Sequence, residues 1–348
     1  QTDVNVHVSG EDTMVQVSLF SEKGDLIYTR EQQIQDFSRK TNIDLSKQVT
    51  GTYIVVMDGL TIRKTFKIRQ SGRSSDYITP SFGHGCLYKC AYCYMRRHVK
   101  KGLSVATNTE EILGHIYSHA QTLGDKISNQ TSDKFWTYDI SCNEDFALHA
   151  KHHEWQKIFD FFTYSKLPIL ATMATKYVNK NLLDHNVKDI NGNRRVRIRF
   201  SLMPQELSTI LEPNTSSIKD RIQAINTFYK AGYDVHINFS PVIAHGSSYE
   251  MYKNLFQQIN YIVDDNIKKY IKAEVIFLTH NKEMHQYNLE NNPLAEALLW
   301  FPEKQENKIS IYGGKNIRYK YKLKSKLINQ FKHLHNQIIP WNKIRYIF

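Results

Sequence analysis

Two rhythms of apolar and polar positions divide the chain. Up to about Gln70 they alternate at period two, in VNVHVSG, TMVQVSLFS, GDLIYTREQQI, GTYIVVMDG and TIRKTFKIRQ. Successive side chains of a strand point to opposite faces, so alternation predicts strands with one face in a core and one in water. Short turns carrying Gly, Asp, Ser and the triplet Glu22-Lys23-Gly24 separate the runs. Residues 1–70 therefore read as a small all-β sandwich of about seven short antiparallel strands. No residue cluster in it suggests catalysis. The polar tract SGRSSD, from Ser71 to Asp76, reads as a linker.

From Asp76 the rhythm changes. Strand-like runs (DYITPSF, KFWTYDIS, LPILATMAT, RRVRIRFSL, DVHINFSPV and AEVIFLTH) alternate with helix-like runs such as NTEEILGHIYSHAQTL, HHEWQKIFDFF, SIKDRIQAINTFYKAG and YEMYKNLFQQINYIVDD. Asn108 is placed to cap the first helix, with Glu111 three residues on, and Gly232 to end the third. Strands alternating with helices predict parallel βα units, hence an α/β fold over residues 77–306, a complete or partial (β/α) barrel. Such barrels do chemistry at the C-terminal ends of their strands. Here those ends are polar: SCNED, TK, SLMP and THN. Residues 307–348 form a basic C-terminal extension with strand-like KISIYGG and IRYKYKL, a helix, and strand-like KIRYIF. Arg195, Arg197 and Arg199 share one face of the fourth strand, either paired with acids inside the barrel or lining its mouth.

Charge adds a partner class. The formal net charge is +12, and after Glu306 there are ten Lys and Arg residues and no acid. Aromatics interleave with these cations, which points to nucleic acid before an acidic membrane. No apolar run approaches the roughly 20 residues of a membrane span, and no stretch reads as a signal peptide. Four cysteines in 348 residues are too few for a disulfide scaffold.

Three of those cysteines, Cys86, Cys90 and Cys93, stand together in GHGCLYKCAYCYMRR. One reading is a structural zinc site completed by His84 or His98, since such sites close with four ligands. The other is a four-iron, four-sulfur cluster on three thiolates, with one iron open to a small molecule. The loop follows the first strand of a βα series, where barrels place active sites, and that favours the second. C-x3-C-x2-C with an aromatic before the last cysteine resembles the signature of the radical S-adenosylmethionine superfamily. That resemblance implies a [4Fe-4S] cluster on Cys86, Cys90 and Cys93. Its open iron would bind S-adenosylmethionine, whose reductive cleavage yields a 5′-deoxyadenosyl radical.

Cys142, in DISCNED at the end of the second barrel strand, narrows the resemblance to the spore photoproduct lyase family. ATKY, IRFSLMPQEL, LEPNTSSIKDRIQAINTFYKAGYDV, EVIFLTHN, GGKNIRYKY and KIRYIF extend it over about residues 76–348. The resemblance implies a DNA-repair lyase that reverses a thymine dimer, with Cys142 returning a hydrogen atom and Tyr92 and Tyr94 relaying the radical. It places Lys176, Ser201 and Glu144 at S-adenosylmethionine. Asp145, Asn238, Arg318, Tyr319 and Lys320 become candidate substrate contacts. It also implies damaged DNA as partner, an electron donor such as flavodoxin or ferredoxin, and a cytoplasmic location. Residues 1–70 instead resemble small β-sandwich modules of exported proteins. Two alternatives share parts of this pattern: a radical enzyme acting on another nucleic acid, and a zinc-stabilised nucleic-acid-binding protein without catalysis.

Overall fold

The computed structural model describes residues 3–8, 13–21, 26–34, 39–44, 52–57, 60–65, 68–95, 103–244, 246, 248–309 and 315–348. It divides into two compact units, Gln1–Arg69 with Thr79–Ser81, and Gln70–Ile78 with Phe82–Phe348. In the first, the alternating runs form six antiparallel strands. Asp3–Val8 pairs with Arg39–Asp44, and Thr13–Ser21 lies between Leu26–Ile34 and Thr52–Met57, with Leu60–Thr65 at the far edge. Among the described residues the run TIRKTFKIRQ supplies the end of Leu60–Thr65 here and Arg69–Gln70 to the sheet described next.

The larger unit is built on one eight-stranded sheet. Its strands are β1 (Arg69–Gln70), β2 (Tyr77–Ile78), β3 (Trp136–Asp139), β4 (Ile169–Thr175), β5 (Val196–Leu202), β6 (Asp234–Val242), β7 (Lys272–Phe277) and β8 (Lys343–Ile347). Their order in space is their order in the chain, and β2 to β8 run parallel. Each return must cross outside the sheet, so helices cover one face and the sheet curls into a half-barrel. The helix runs fold as expected, at Thr109–Gln121, Trp155–Thr163, Ile218–Lys230 and Ser248–Ile262. Ser217 caps the third through the Asp220 N–H, and Gly232, with φ of 106°, follows its end. Asn108 instead bonds the Glu111 side chain at 2.8 Å and makes no side-chain bond to the helix backbone.

Alternation along β5 decides the interior. Ile198 and Phe200 are fully buried, and Phe200 meets Phe228 of the Ile218–Lys230 helix at 5.3 Å between ring centroids. Arg195, Arg197 and Arg199 take the other parity and are paired rather than lining the mouth. Arg195 bonds Asp189 at 3.1 Å, Arg197 bonds Asp234 at 2.7 Å, and Arg199 bonds Asp139 at 2.6 Å and Glu274 at 3.2 Å. Buried charges persist only when paired in this way.

Two expected boundaries move. The tract Ser71–Asp76 is not a free linker. Ser74 Oγ donates to Glu274 at 2.6 Å, and the Asp76 carboxylate accepts from Lys126, Asn129, Thr131 and Thr137. Its polar side chains satisfy the barrel interior. Residues 307–348 are not a separate segment either, because KIRYIF supplies β8 beside β7. The helix Tyr321–Ile338 is the crossover that returns to it, burying Phe331 against Phe239, Tyr252 and Phe256. Among the described residues no helix is long and apolar enough to cross a membrane.

Candidate active site

The loop carrying Cys86, Cys90 and Cys93 follows the two-residue strand Gly83–His84, which pairs with Ser104–Val105. It has little regular structure, so its backbone needs partners from elsewhere. The Gly85 N–H donates to the Asn143 carbonyl at 3.1 Å, and the Leu87 N–H to His149 Nε2 at 3.3 Å. Ala91 is held on both sides: its N–H donates to Leu211 O at 2.8 Å, and its carbonyl accepts from Asn288 Nδ2 at 2.9 Å. The Cys93 N–H turns back to Cys90 O at 3.1 Å. Burial pushes all three thiols up, Cys86 to about 12 and Cys90 well above its usual range. They hold their protons until a metal displaces them.

Glu144 is expected at S-adenosylmethionine, but its side chain is enclosed beneath the loop. Oε2 lies 3.2 Å from His149 Nδ1 and 2.8 Å from His153 Nε2, with the carboxylate and both rings buried. The Leu87 N–H occupies Nε2 of His149, so Nδ1 carries the proton and donates to Glu144. Burial opposes the charge, yet the two histidines outweigh it and keep the carboxyl below its usual range. A Cβ on Gly83 would stand 2.5 Å from Oε2, so any other residue there must push the carboxylate off its two histidines. Asp145 is likewise committed. Its Oδ1 accepts from the Leu148 N–H and Thr175 Oγ1, and its Oδ2 from the Lys176 N–H at 2.9 Å. It caps a short helix and ties the end of β4 to it, so both oxygens already serve the fold.

Cys142 lies in the turn after β3, and the next residue joins it to the cysteine loop. Asn143 has φ of 69°, a conformation that asparagine tolerates better than most residues. From there its carbonyl takes the Gly85 N–H and its Oδ1 takes the Tyr94 hydroxyl at 3.0 Å. The turn therefore grips the loop before its first cysteine and after its last.

Tyr92 faces a different network. Its hydroxyl donates to Glu212 Oε1, while Glu212 Oε2 accepts from Arg221 Nη1 at 2.8 Å and Ser208 Oγ at 3.2 Å. Lys176, just past β4, places Nζ 4.0 Å from Glu212 Oε1 and 5.7 Å from the Tyr92 ring centroid. Burial would lower the Lys176 pKa, but Glu212 and then Cys90 raise it above normal. Glu212 and Arg221 were not singled out from the sequence. They lie in the LEPNTSSIKDR run, whose one visible signal was an acid and a base nine residues apart.

Ser201 and Asn238 pair in register across β5 and β6, with Asn238 Nδ2 3.4 Å from Ser201 Oγ. Asn238 is buried, and its Oδ1 has no hydrogen-bond partner among the described residues. A buried acceptor left open beside a buried hydroxyl suits a polar ligand. Among the described residues no group of three or more His, Cys, Asp or Glu side chains is arranged to hold a single metal ion. His98 lies outside the described residues, and His84 is buried in its strand.

The hairpin of Gln305–Ile309 and Lys315–Tyr319 carries the remaining candidates. Tyr319 is fully buried, and its hydroxyl accepts from the Ala244 N–H at 2.9 Å, so it packs the barrel rather than facing DNA. Arg318 pairs with Glu306 at 3.0 Å, and Lys320 is exposed.

The family model for spore photoproduct lyase matches residues 20–348. The chain belongs to the spore photoproduct lyase family. The Bacillus subtilis spore photoproduct lyase is 27% identical over 296 residues, covering 84% of this chain and 81% of its own. The Geobacillus enzyme is 25% identical over 234 residues, covering 66% and 63%. A solved spore photoproduct lyase mutant with bound AdoMet and dinucleoside spore photoproduct superposes with a TM-score of 0.70 at 20% identity. It covers 82% of this chain and 81% of its own. Another mutant with the dinucleoside spore photoproduct reaches 0.71 at 21%, with the same coverage. At that identity the solved structures of the family establish the fold, which is the half-barrel described above.

Proposed function

We propose that this protein is a radical S-adenosylmethionine lyase that reverses spore photoproduct, a thymine dimer, in DNA. One observation carries the reading. Asn143 binds both Gly85 and Tyr94, which joins the Cys142 turn to the cysteine loop. Cys86, Cys90 and Cys93 would hold a [4Fe-4S] cluster, with Ser201, Asn238 and Lys176 disposed around S-adenosylmethionine. When bound, these groups supply a carbon radical that takes a hydrogen atom from the lesion.

The chain's own residues complete the reaction. Cys142 gives the hydrogen atom of its Sγ–H to the thymine radical left when the dimer bond breaks, and is itself left as a thiyl. Tyr94, held at Asn143, returns a hydrogen atom to that sulfur. Tyr92 is the second hydrogen-atom store of the same relay, and Glu212 holds its hydroxyl in place. The lesion must leave the stack to reach this mouth, which is easiest at a damaged pair. Basic residues of the hairpin and last helix hold the backbone. A reduced flavodoxin or ferredoxin supplies the electron, and an oxygen-sensitive cluster acting on DNA belongs in the cytoplasm.

The test is anaerobic reconstitution with iron and sulfide, then reaction with S-adenosylmethionine, dithionite and spore-photoproduct DNA, read by mass spectrometry for thymine. Thymine is expected from the wild type and none from Cys86→Ala. Cofactor cleavage without any restored thymine would sink the substrate assignment.

A further inference from the structure

Three cations surround one aromatic ring at the end of β8. Arg73 Cζ lies 4.7 Å from the Phe348 ring centroid, Lys308 Nζ 5.1 Å and Lys324 Nζ 4.2 Å. All three are therefore within about 10 Å of one another. They come from three parts of the unit: the turn before β2, the edge strand Gln305–Ile309, and the fourth residue of the Tyr321–Ile338 helix. Among the described residues none of the three has a carboxylate within 4.0 Å, whereas neighbouring Arg318 has Glu306.

This arrangement is unfavourable by itself. Like charges that close repel, and one ring face offers each cation only about 0.5–1 kcal/mol at an exposed site. All three side chains are half-buried, so water screens them incompletely. Burial and the charges of Arg318, Lys308 and Arg73 bring Lys324 down to about 8. An anion at the ring's edge would relieve the repulsion, and a phosphate offers oxygens in several directions to converging donors. Lys324 leans toward its helix N-terminus, which no side chain caps, and that end favours negative charge. The surrounding field favours a repeating polyanion over a single acidic group. Lys315, Lys320, Lys322 and Lys326 are exposed on the same hairpin and helix, and no acid follows Glu306.

We propose that Arg73, Lys308 and Lys324, gathered on Phe348, form a binding site for one backbone phosphate of the substrate DNA. The inference rests on the DNA reading above, but not on the repair chemistry. Its test is the salt dependence of binding to undamaged duplex DNA, followed by fluorescence anisotropy. One phosphate contact contributes about 0.9 to the slope of log affinity against log salt. The triple variant Arg73→Gln, Lys308→Gln, Lys324→Gln should lose about that much slope and bind about tenfold more weakly at low salt. Lys219→Gln, on an outer barrel helix, should change neither. Lys308→Gln alone, on an edge strand, gives a several-fold weakening even if the triple variant unfolds, and Lys308→Arg restores affinity. An unchanged slope in folded variants overturns the proposal. If reduction by a flavodoxin-type donor slows instead, the cations serve an acidic protein. Slope loss in a protein that restores no thymine leaves the phosphate site standing and removes the repair reading.

Discussion

Replacing Glu274 by Gln should destabilise the larger unit by about 3 kcal/mol at neutral pH. Glu274 lies on β7 with no exposed surface. Its Oε1 accepts from Arg345, and its Oε2 from Arg199 at 3.2 Å and Ser74 at 2.6 Å. Burial alone would raise its pKa. Arg199 and Arg345 more than reverse that, lowering it from 4.5 to about 2. At about 1.4 kcal/mol per pH unit the gap corresponds to about 3 kcal/mol in favour of the folded state. The amide keeps the shape but not the charge. Arg199 retains Asp139, while Arg345 is left with backbone carbonyls such as Ser74 O at 3.0 Å. Breaking a buried pair from one side typically costs about 3–5 kcal/mol, which agrees. The sign with pH follows from a lowered folded pKa. The contribution is complete above the unfolded value near 4.5 and is lost as pH falls toward 2. Denaturant unfolding of wild type and variant should show a gap that is widest near neutrality and closes in acid. A gap below about 1 kcal/mol at neutral pH, or one that stays constant down to about pH 3, would refute the reasoning.

Other perturbations separate the roles assigned at the site. Gly83→Ala drives a methyl into the Glu144 carboxylate, so the reconstituted protein should hold markedly less iron per chain; normal iron content would show that the loop yields freely. Asn143→Ala removes the Tyr94 acceptor and strains a left-handed residue. It should cost about 1 kcal/mol and lower thymine yield more than cofactor cleavage, and equal losses in both would argue against the relay. Cys142→Ala should still cleave S-adenosylmethionine but release products other than thymine, as chromatography of the reaction would reveal. Tyr319→Phe loses one hydrogen bond and about 1 kcal/mol, with DNA affinity unchanged; a large affinity loss at normal stability would put Tyr319 back at the DNA.

What could be read from the chain was what depends on local order. Period-two runs predicted the antiparallel strands before Arg69, and the switch to alternating strands and helices predicted the parallel sheet, because both patterns are properties of neighbouring residues. The cysteine spacing, the polar strand ends and the excess of cations after Glu306 were visible for the same reason. Pairing across the sheet was not. The sequence showed three arginines on one face of β5 but could not say that Asp189, Asp234, Asp139 and Glu274 meet them. Nor could it say that Ser74 and Arg345, 271 residues apart, close the same interior. The family resemblance made Tyr319 a candidate substrate contact, yet its own strand parity turns it inward. Glu144 and Asp145 looked like mouth residues because they end a strand, yet the loop and the next strand fold over them. Composition and spacing determined which chemistry this protein can host. Only the tertiary structure decided which polar side chains remain available for it, because burial forces every buried donor and acceptor to find a partner wherever the fold supplies one.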